Sequence, residues 1–175
     1  VTGSDVGFYP PVSTRLVEAG VDFYPGWHPE KMVAGGVPDL VVVGNVASSH
    51  NPEWLYVEEH KIPYQSYPEV VRDFLVKKNS VVTAGTYGKS TSAALLTWIF
   101  TRAGRQPAHL FGCIAMNDLP AAALAESDLD TPAGAGWSII EGDEYKTARW
   151  DLNPKFSYYR PTHLLLTSVV WDHAD

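Results

Sequence analysis

Seven consecutive residues, Gly85-Thr86-Tyr87-Gly88-Lys89-Ser90-Thr91, restrict the fold more than any other stretch of the chain. They follow a short apolar run, Val81-Val82-Thr83-Ala84, and open a helical pattern from Lys89 to Ala103 that Gly104 closes. A buried strand, a glycine-bearing loop and a helix, in that order, are the frame of a phosphate-binding loop. The glycines let the backbone wrap an anion, and the N–H groups at the helix start point at it. Lys89 supplies a positive charge for the outer phosphates, and Ser90 a hydroxyl for Mg2+. The common eight-residue form needs Gly at position 83, where this chain carries Thr83, so the loop is a shortened variant, Gly-x-x-Gly-Lys-Ser-Thr.

The rest of the chain alternates strands and helices. Helices are expected over Pro11 to Ala19, Asn51 to about His60 (with Pro52 at its first position) and Ser66 to Lys77. Strands are expected at Val1 to Gly3, Val21 to Tyr24, Asp39 to Gly44, Ile62 to Tyr64, His109 to Ile114, Trp137 to Glu141 and His163 to Val169. The Ala-rich stretch from Pro120 to Ser127 suits a helical turn, and Tyr145 to Pro161 reads as irregular. Alternation of this kind implies an α/β architecture with parallel sheets. The polar run Lys77-Lys78-Asn79-Ser80 precedes the strand of the phosphate loop and marks the expected domain boundary, giving domains 1–78 and 79–175.

Charge and composition exclude several classes. Thirteen basic and 20 acidic groups give a net charge of −7, so the chain lacks the overall basic field that nucleic-acid binding uses. No apolar run approaches the roughly 20 residues of a membrane span. Cys113 is the single cysteine and has no intramolecular disulfide partner. Together with the absence of a charged-then-apolar leader, that points to a reducing, cytoplasmic setting. The chain starts at Val1 without Met and stops at Asp175, which reads as a fragment of a longer protein.

Two acidic stretches follow buried strands. They are Glu141-Gly142-Asp143-Glu144 and Asp172-His173-Ala174-Asp175. Ligands of open α/β sheets gather at the carboxyl ends of strands. Taken singly, such residues are solvated turn groups. Beside a phosphate loop, Glu141 and His173 become the expected metal-holding side chains, while Asp143 and Glu144 are expected to be loop or supporting groups. His28, His50, His60, His109 and His163 show no ligand spacing and read mostly as surface or capping groups. Cys113 reads as buried and inert, and Trp150, Tyr158 and Tyr159 as packing residues.

The short loop, taken with three longer stretches, resembles the Mur ligase family, ATP-dependent amide-bond formers of bacterial cell-wall synthesis. The stretches are Gly3-Ser4-Asp5 with Tyr9-Pro10-Pro11-Val12-Ser13-Thr14, Gly44-Asn45 with Asn51-Pro52-Glu53, and Glu141 to Tyr145 running on to Trp171-Asp172-His173-Ala174-Asp175. The resemblance implies a partial Rossmann-like N-terminal domain for a UDP-sugar, lacking its first strand, followed by part of a P-loop ATP-binding central domain. It implies a three-domain enzyme whose peptide-binding third domain is absent here. In that reading ATP binds at Gly85, Thr86, Gly88, Lys89, Ser90 and Thr91, and Mg2+ at Ser90, Glu141 and His173. Lys89, Glu141 and His173 carry the catalysis, and Ser4, Asp5 and Asn45 meet the UDP-sugar. The implied reaction joins UDP-N-acetylmuramate to the recycled murein tripeptide L-alanyl-γ-D-glutamyl-meso-diaminopimelate through an acyl phosphate. Two alternatives stand beside it: addition of L-alanine to the same UDP-sugar, and a non-catalytic nucleotide-binding fragment. The chain departs from the family pattern at Tyr87 (usually His), Lys146 (usually Asp), Thr167-Ser168 (usually Asn nearby) and Gly112-Cys113 (usually Gly-Gly).

Overall fold

The strand that leads into the phosphate loop is the second of five in a sheet, and the loop leaves from the end of that strand. The computed structural model describes residues 1–117, 119–125 and 136–170. The chain divides into two compact units, Val1–Ser66 and Tyr67–Asp175.

In the first unit the elements are β1 (Thr2–Asp5), α1 (Val12–Glu18), β2 (Asp22–Pro25), α2 (Pro29–Met32), β3 (Val41–Val43), α3 (Pro52–Glu59) and β4 (Tyr64–Ser66). Strand β1 pairs in parallel with β2, Thr2 opposite Asp22, and β3 pairs in parallel with β4, Val41 opposite Tyr64. Parallel neighbours need a long crossover, which α1 and α3 provide. Helix α3 starts where the sequence places it. The Asn51 side-chain oxygen accepts hydrogen bonds from the N–H groups of Glu53 (2.9 Å) and Trp54 (3.1 Å), and Pro52 occupies the first turn. Trp54 and Val57 bury its inner face.

In the second unit α4 (Tyr67–Phe74) precedes β5 (Asn79–Ala84), α5 (Lys89–Arg102), β6 (Ala108–Leu110), β7 (Ala122–Ala123), β8 (Trp137–Glu141), β9 (Lys146–Ala148), β10 (Asp151–Pro154), a 3-10 helix (Lys155–Tyr158) and β11 (His163–Leu166). The main sheet runs β11-β5-β8-β6-β7, with every neighbour parallel except β6 and β7. Side chains alternate across a sheet, and the core splits accordingly. Val82 and Ile140 pack on one face with Val71 of α4 and Tyr159. Ile139 packs on the other with Ala93 of α5 and Phe111, joined by Val81.

Three expectations meet a different structure. Pro120 to Ala125, the described part of the Ala-rich stretch, holds the short strand β7, antiparallel to β6, instead of a helical turn. The Phe111 N–H donates to the Ala121 carbonyl (2.9 Å), so sheet pairing overrides the local helix preference of alanine. Within Tyr145 to Pro161, β9 and β10 form an antiparallel pair with an irregular register, in place of irregular chain. Helix α4, placed by the sequence in the first domain, packs in the second unit through Val71. Among the described residues no helix is long and apolar enough to cross a membrane.

Candidate functional site

The phosphate loop is built by two left-handed glycines and tied down by the strand beside it. Gly85 has φ +126° and Gly88 φ +82°, conformations that L side chains rarely adopt. Beyond β11, the chain runs alongside the loop. The Thr167 N–H donates to the Ala84 carbonyl (2.9 Å), and its hydroxyl reaches the Tyr87 carbonyl (2.5 Å). The Thr86 N–H donates to the Ser168 carbonyl (3.1 Å), and the Tyr87 N–H to the Ser168 hydroxyl (2.9 Å). Thr167 and Ser168, which stand out in the sequence only as departures, therefore fasten the loop. The Thr86 and Tyr87 N–H groups serve the scaffold. The N–H groups of Lys89, Ser90 and Thr91, in the first turn of α5, lack a partner inside the helix and sit at its positive end. Those are the donors an anion would meet. Thr83, where the longer motif has Gly, is fully buried and donates its hydroxyl to the Lys89 carbonyl (3.0 Å), locking the strand end to the helix start.

Strand register brings the acidic group to this loop. Glu141 ends β8 directly opposite Thr83 of β5. The Ser90 hydroxyl donates to one Glu141 carboxylate oxygen (2.8 Å) and the Gly112 N–H to the other (2.6 Å). The Lys89 ammonium donates to the Gly85 carbonyl (2.8 Å), the Thr86 carbonyl (3.4 Å) and Glu144 (3.0 Å). Asp143 is occupied differently, in an ion pair with Lys155 (2.6 Å). A hydroxyl and a carboxylate in contact at the helix start make a hard, all-oxygen donor pair. That fits Mg2+, which takes one or two protein carboxylates and completes its shell with phosphate and water. Among the described residues no group of three or more His, Cys, Asp or Glu side chains forms a metal cluster, and a Mg2+ site of this type needs none. His173, expected beside Glu141, lies outside the described residues.

The other side chains singled out by the sequence fall mostly outside this chemistry. Burial, reinforced by the Glu141 charge, pushes the Cys113 thiol up, so it stays protonated and weakly nucleophilic. Tyr159 is packing, as expected, in the core with Val82 and Ile140. His109 departs from the surface expectation. It is buried, with one ring nitrogen on the Pro107 carbonyl (3.1 Å) and the other on that of Pro120 (2.9 Å).

The first unit has a cavity of about 490 Å3 lined along the whole length of β1 and β3. Ser4 and Asp5 line it. Gly44 and Val46 line it on either side of Asn45, which is half-buried and not among the lining residues. Its wall depends on a residue whose role the sequence did not disclose. Glu53, buried in the first turn of α3, accepts hydrogen bonds from the Ser4 hydroxyl (2.5 Å), the Tyr24 hydroxyl (2.7 Å) and the His28 N–H (2.9 Å). It thus joins the ends of β1 and β2 and the start of α2 to α3. Burial, then Glu53 itself, hold the Tyr24 hydroxyl well above its ordinary range, so it remains a donor. Glu53→Ala should lower stability by about 2–3 kcal/mol, because three part-buried donors lose a buried, charged acceptor. Glu53→Gln, which keeps an acceptor oxygen, should cost less. Urea midpoints of the two variants check the order.

Comparison with known proteins gives four matches. The family described as "Mur ligase family, catalytic domain" matches residues 1–78. An Escherichia coli (strain K12) protein named UDP-N-acetylmuramate–L-alanyl-γ-D-glutamyl-meso-2,6-diaminoheptandioate ligase is 38% identical over 176 residues, covering 100% of this chain and 36% of its own length. A UDP-N-acetylmuramate–L-alanine ligase of Syntrophomonas wolfei is 29% identical, covering 100% of this chain and 34% of its own. Among solved structures, the UDP-N-acetylmuramate:L-alanyl-γ-D-glutamyl-meso-diaminopimelate ligase of Neisseria meningitides matches with a TM-score of 0.86 at 32% identity, over 99% of this chain and 54% of that one. The chain spans about a third of the length of the curated relatives it matches.

Proposed function

We propose that this chain belongs to the Mur ligase family and is part of an ATP-dependent ligase that joins UDP-N-acetylmuramate to the tripeptide L-alanyl-γ-D-glutamyl-meso-diaminopimelate in the cytoplasm. The observation that carries the reading is the contact between Ser90 and Glu141 beside Lys89, at the start of α5. The relative that acts on the tripeptide, at 38% identity, favours this substrate over L-alanine, whose ligase is 29% identical.

In this reading the first unit binds the UDP-sugar, with Ser4, Asp5 and Asn45 as its contacts, and the second unit binds ATP and Mg2+. ATP, when bound, supplies the phosphoryl group that activates the muramoyl carboxylate toward the incoming amine. The chain's own task is positioning and charge neutralisation. The loop Gly85, Thr86 and Gly88 shapes the backbone, and the N–H groups of Lys89, Ser90 and Thr91 orient phosphate oxygens. Lys89 neutralises the charge that builds on them. Ser90 and Glu141 hold Mg2+, with His173 completing the proposed metal set.

The test is a ligation assay of the full-length protein with UDP-N-acetylmuramate, ATP and Mg2+, offered the tripeptide or L-alanine. Product is expected with the tripeptide. Product from L-alanine alone would assign the protein to the sister reaction, and no product from either would leave only a nucleotide-binding role.

A further inference from the structure

We infer that Glu144 makes nucleotide binding at the phosphate loop conditional on a divalent cation, by holding Lys89 in an ion pair. This rests on the loop's being a nucleotide site. The Lys89 ammonium uses all three of its protons inside the protein, on Gly85 and Thr86 carbonyls and on Glu144. The pair is largely sheltered, with the Lys89 side chain 14% and the Glu144 side chain 30% exposed, so water screens it only in part. Glu144 lies three residues past Glu141, and both carboxylates face the loop, one on Lys89 and one on Ser90.

The charge balance follows. Among the described residues, the Glu141 and Glu144 carboxylates against the Lys89 ammonium leave the loop with one surplus negative charge, and a metal-free polyphosphate is repelled. A divalent cation on Ser90 and Glu141 reverses the sign, and the same polyphosphate is attracted. If Glu144 lost its charge, the loop would be neutral before any metal arrived, and the repulsion would vanish. Lys89 would also be free to turn from the carboxylate to the phosphates. Glu144 is therefore a positioning and selectivity residue that acts through Lys89. Because coupling between two ligands is reciprocal, the residue that makes nucleotide affinity depend on metal makes metal affinity depend on nucleotide to the same degree.

The experiment is equilibrium ATP binding to the full-length protein, in excess Mg2+ and in excess EDTA. The readout is the ratio of the two affinities, which general loosening of the loop would not shift in a set direction. For Glu144→Gln the ratio should fall about tenfold, through tighter binding in EDTA. Glu144→Asp, which keeps the charge, should retain most of the wild-type ratio. An unchanged ratio in Glu144→Gln overturns the inference, as does a fall caused only by weaker binding in Mg2+. If that variant fails to fold by thermal melting, Glu144→Ser is read by the same criterion. Lys89→Ala separates this inference from its premise. If its ATP affinity matches wild type in both conditions, the phosphate-loop reading itself is wrong; if it weakens binding while Glu144→Gln leaves the ratio alone, only the role of Glu144 is lost.

Discussion

Lys89→Ala in the full-length protein is expected to slow ligation at least ~100-fold, with only a modest fall in thermal stability. The ammonium is held by the Gly85 and Thr86 carbonyls and by Glu144, at the start of α5 and three ångströms or so from each. A charge fixed in place before the reaction needs no reorganisation when negative charge builds on the transferred phosphoryl group, and loss of one such group costs roughly 10²–10³ in turnover. Stability should fall only modestly, because the lost interactions are one largely sheltered ion pair, whose Glu144 side chain keeps 30% of its surface exposed, and two carbonyl contacts that water can replace. Lys89→Arg should not restore activity, since a planar fork does not fit a point-charge position between two loop carbonyls. Single-turnover kinetics and a melting curve on the same preparations check both halves. Turnover near wild type would remove Lys89 from the chemistry.

Gly85→Ala is expected to be the most disruptive single substitution in the loop, costing about 3 kcal/mol of stability and abolishing ATP binding. Two effects add. The backbone at φ +126° is strained for any L side chain, by roughly 1–3 kcal/mol. A methyl group there would also lie 2.5 Å from the Thr167 hydroxyl, 2.7 Å from the Ser168 carbonyl oxygen and 2.8 Å from the Ser168 nitrogen. Two of those three are backbone atoms, and the Ser168 carbonyl cannot retreat without releasing the Thr86 N–H. Gly88→Ala is the internal control. It shares the left-handed backbone, φ +82°, but its methyl would find its nearest neighbour, the Thr167 Cβ, at 4.0 Å. It should therefore show the strain without the clash, and denaturant midpoints should separate the two variants. Equal losses would mean that the apposed Thr167-Ser168 segment yields easily.

The parts of this structure that sequence discloses are the local ones. The loop and its flanks fall within two residues of expectation, β5 at Asn79–Ala84 and α5 at Lys89–Arg102, because an apolar run and glycine punctuation are both written in adjacent positions. The approach of Glu141 to Ser90, 51 positions apart, follows from one further rule: parallel strands end together, and ligands collect at those ends. Side-chain bonds to distant backbone carry no period and leave no such trace. The grip of Thr167 and Ser168 on the loop, the Lys89–Glu144 pair and the three-way bracing by Glu53 are all of that kind. The strand at Ala122–Ala123 was hidden for the opposite reason, a strong local preference overruled by the free edge of β6. In α4 the pattern gives a buried face but not the sheet that covers it, and Val71 finds its partners in Val82, Ile140 and Tyr159.

The division of labour among the loop's N–H groups has a consequence for amide hydrogen exchange. The Thr86 and Tyr87 amides are bonded to Ser168 before any ligand arrives, so they should exchange slowly in the ligand-free protein, at a rate set by local opening of the loop. The Lys89, Ser90 and Thr91 amides at the start of α5 have no such helix partner and should exchange quickly until nucleotide binds. Addition of nucleotide with Mg2+ should then slow these three and leave the first two nearly unchanged. That pattern separates a loop already rigid before binding from one that orders around its ligand.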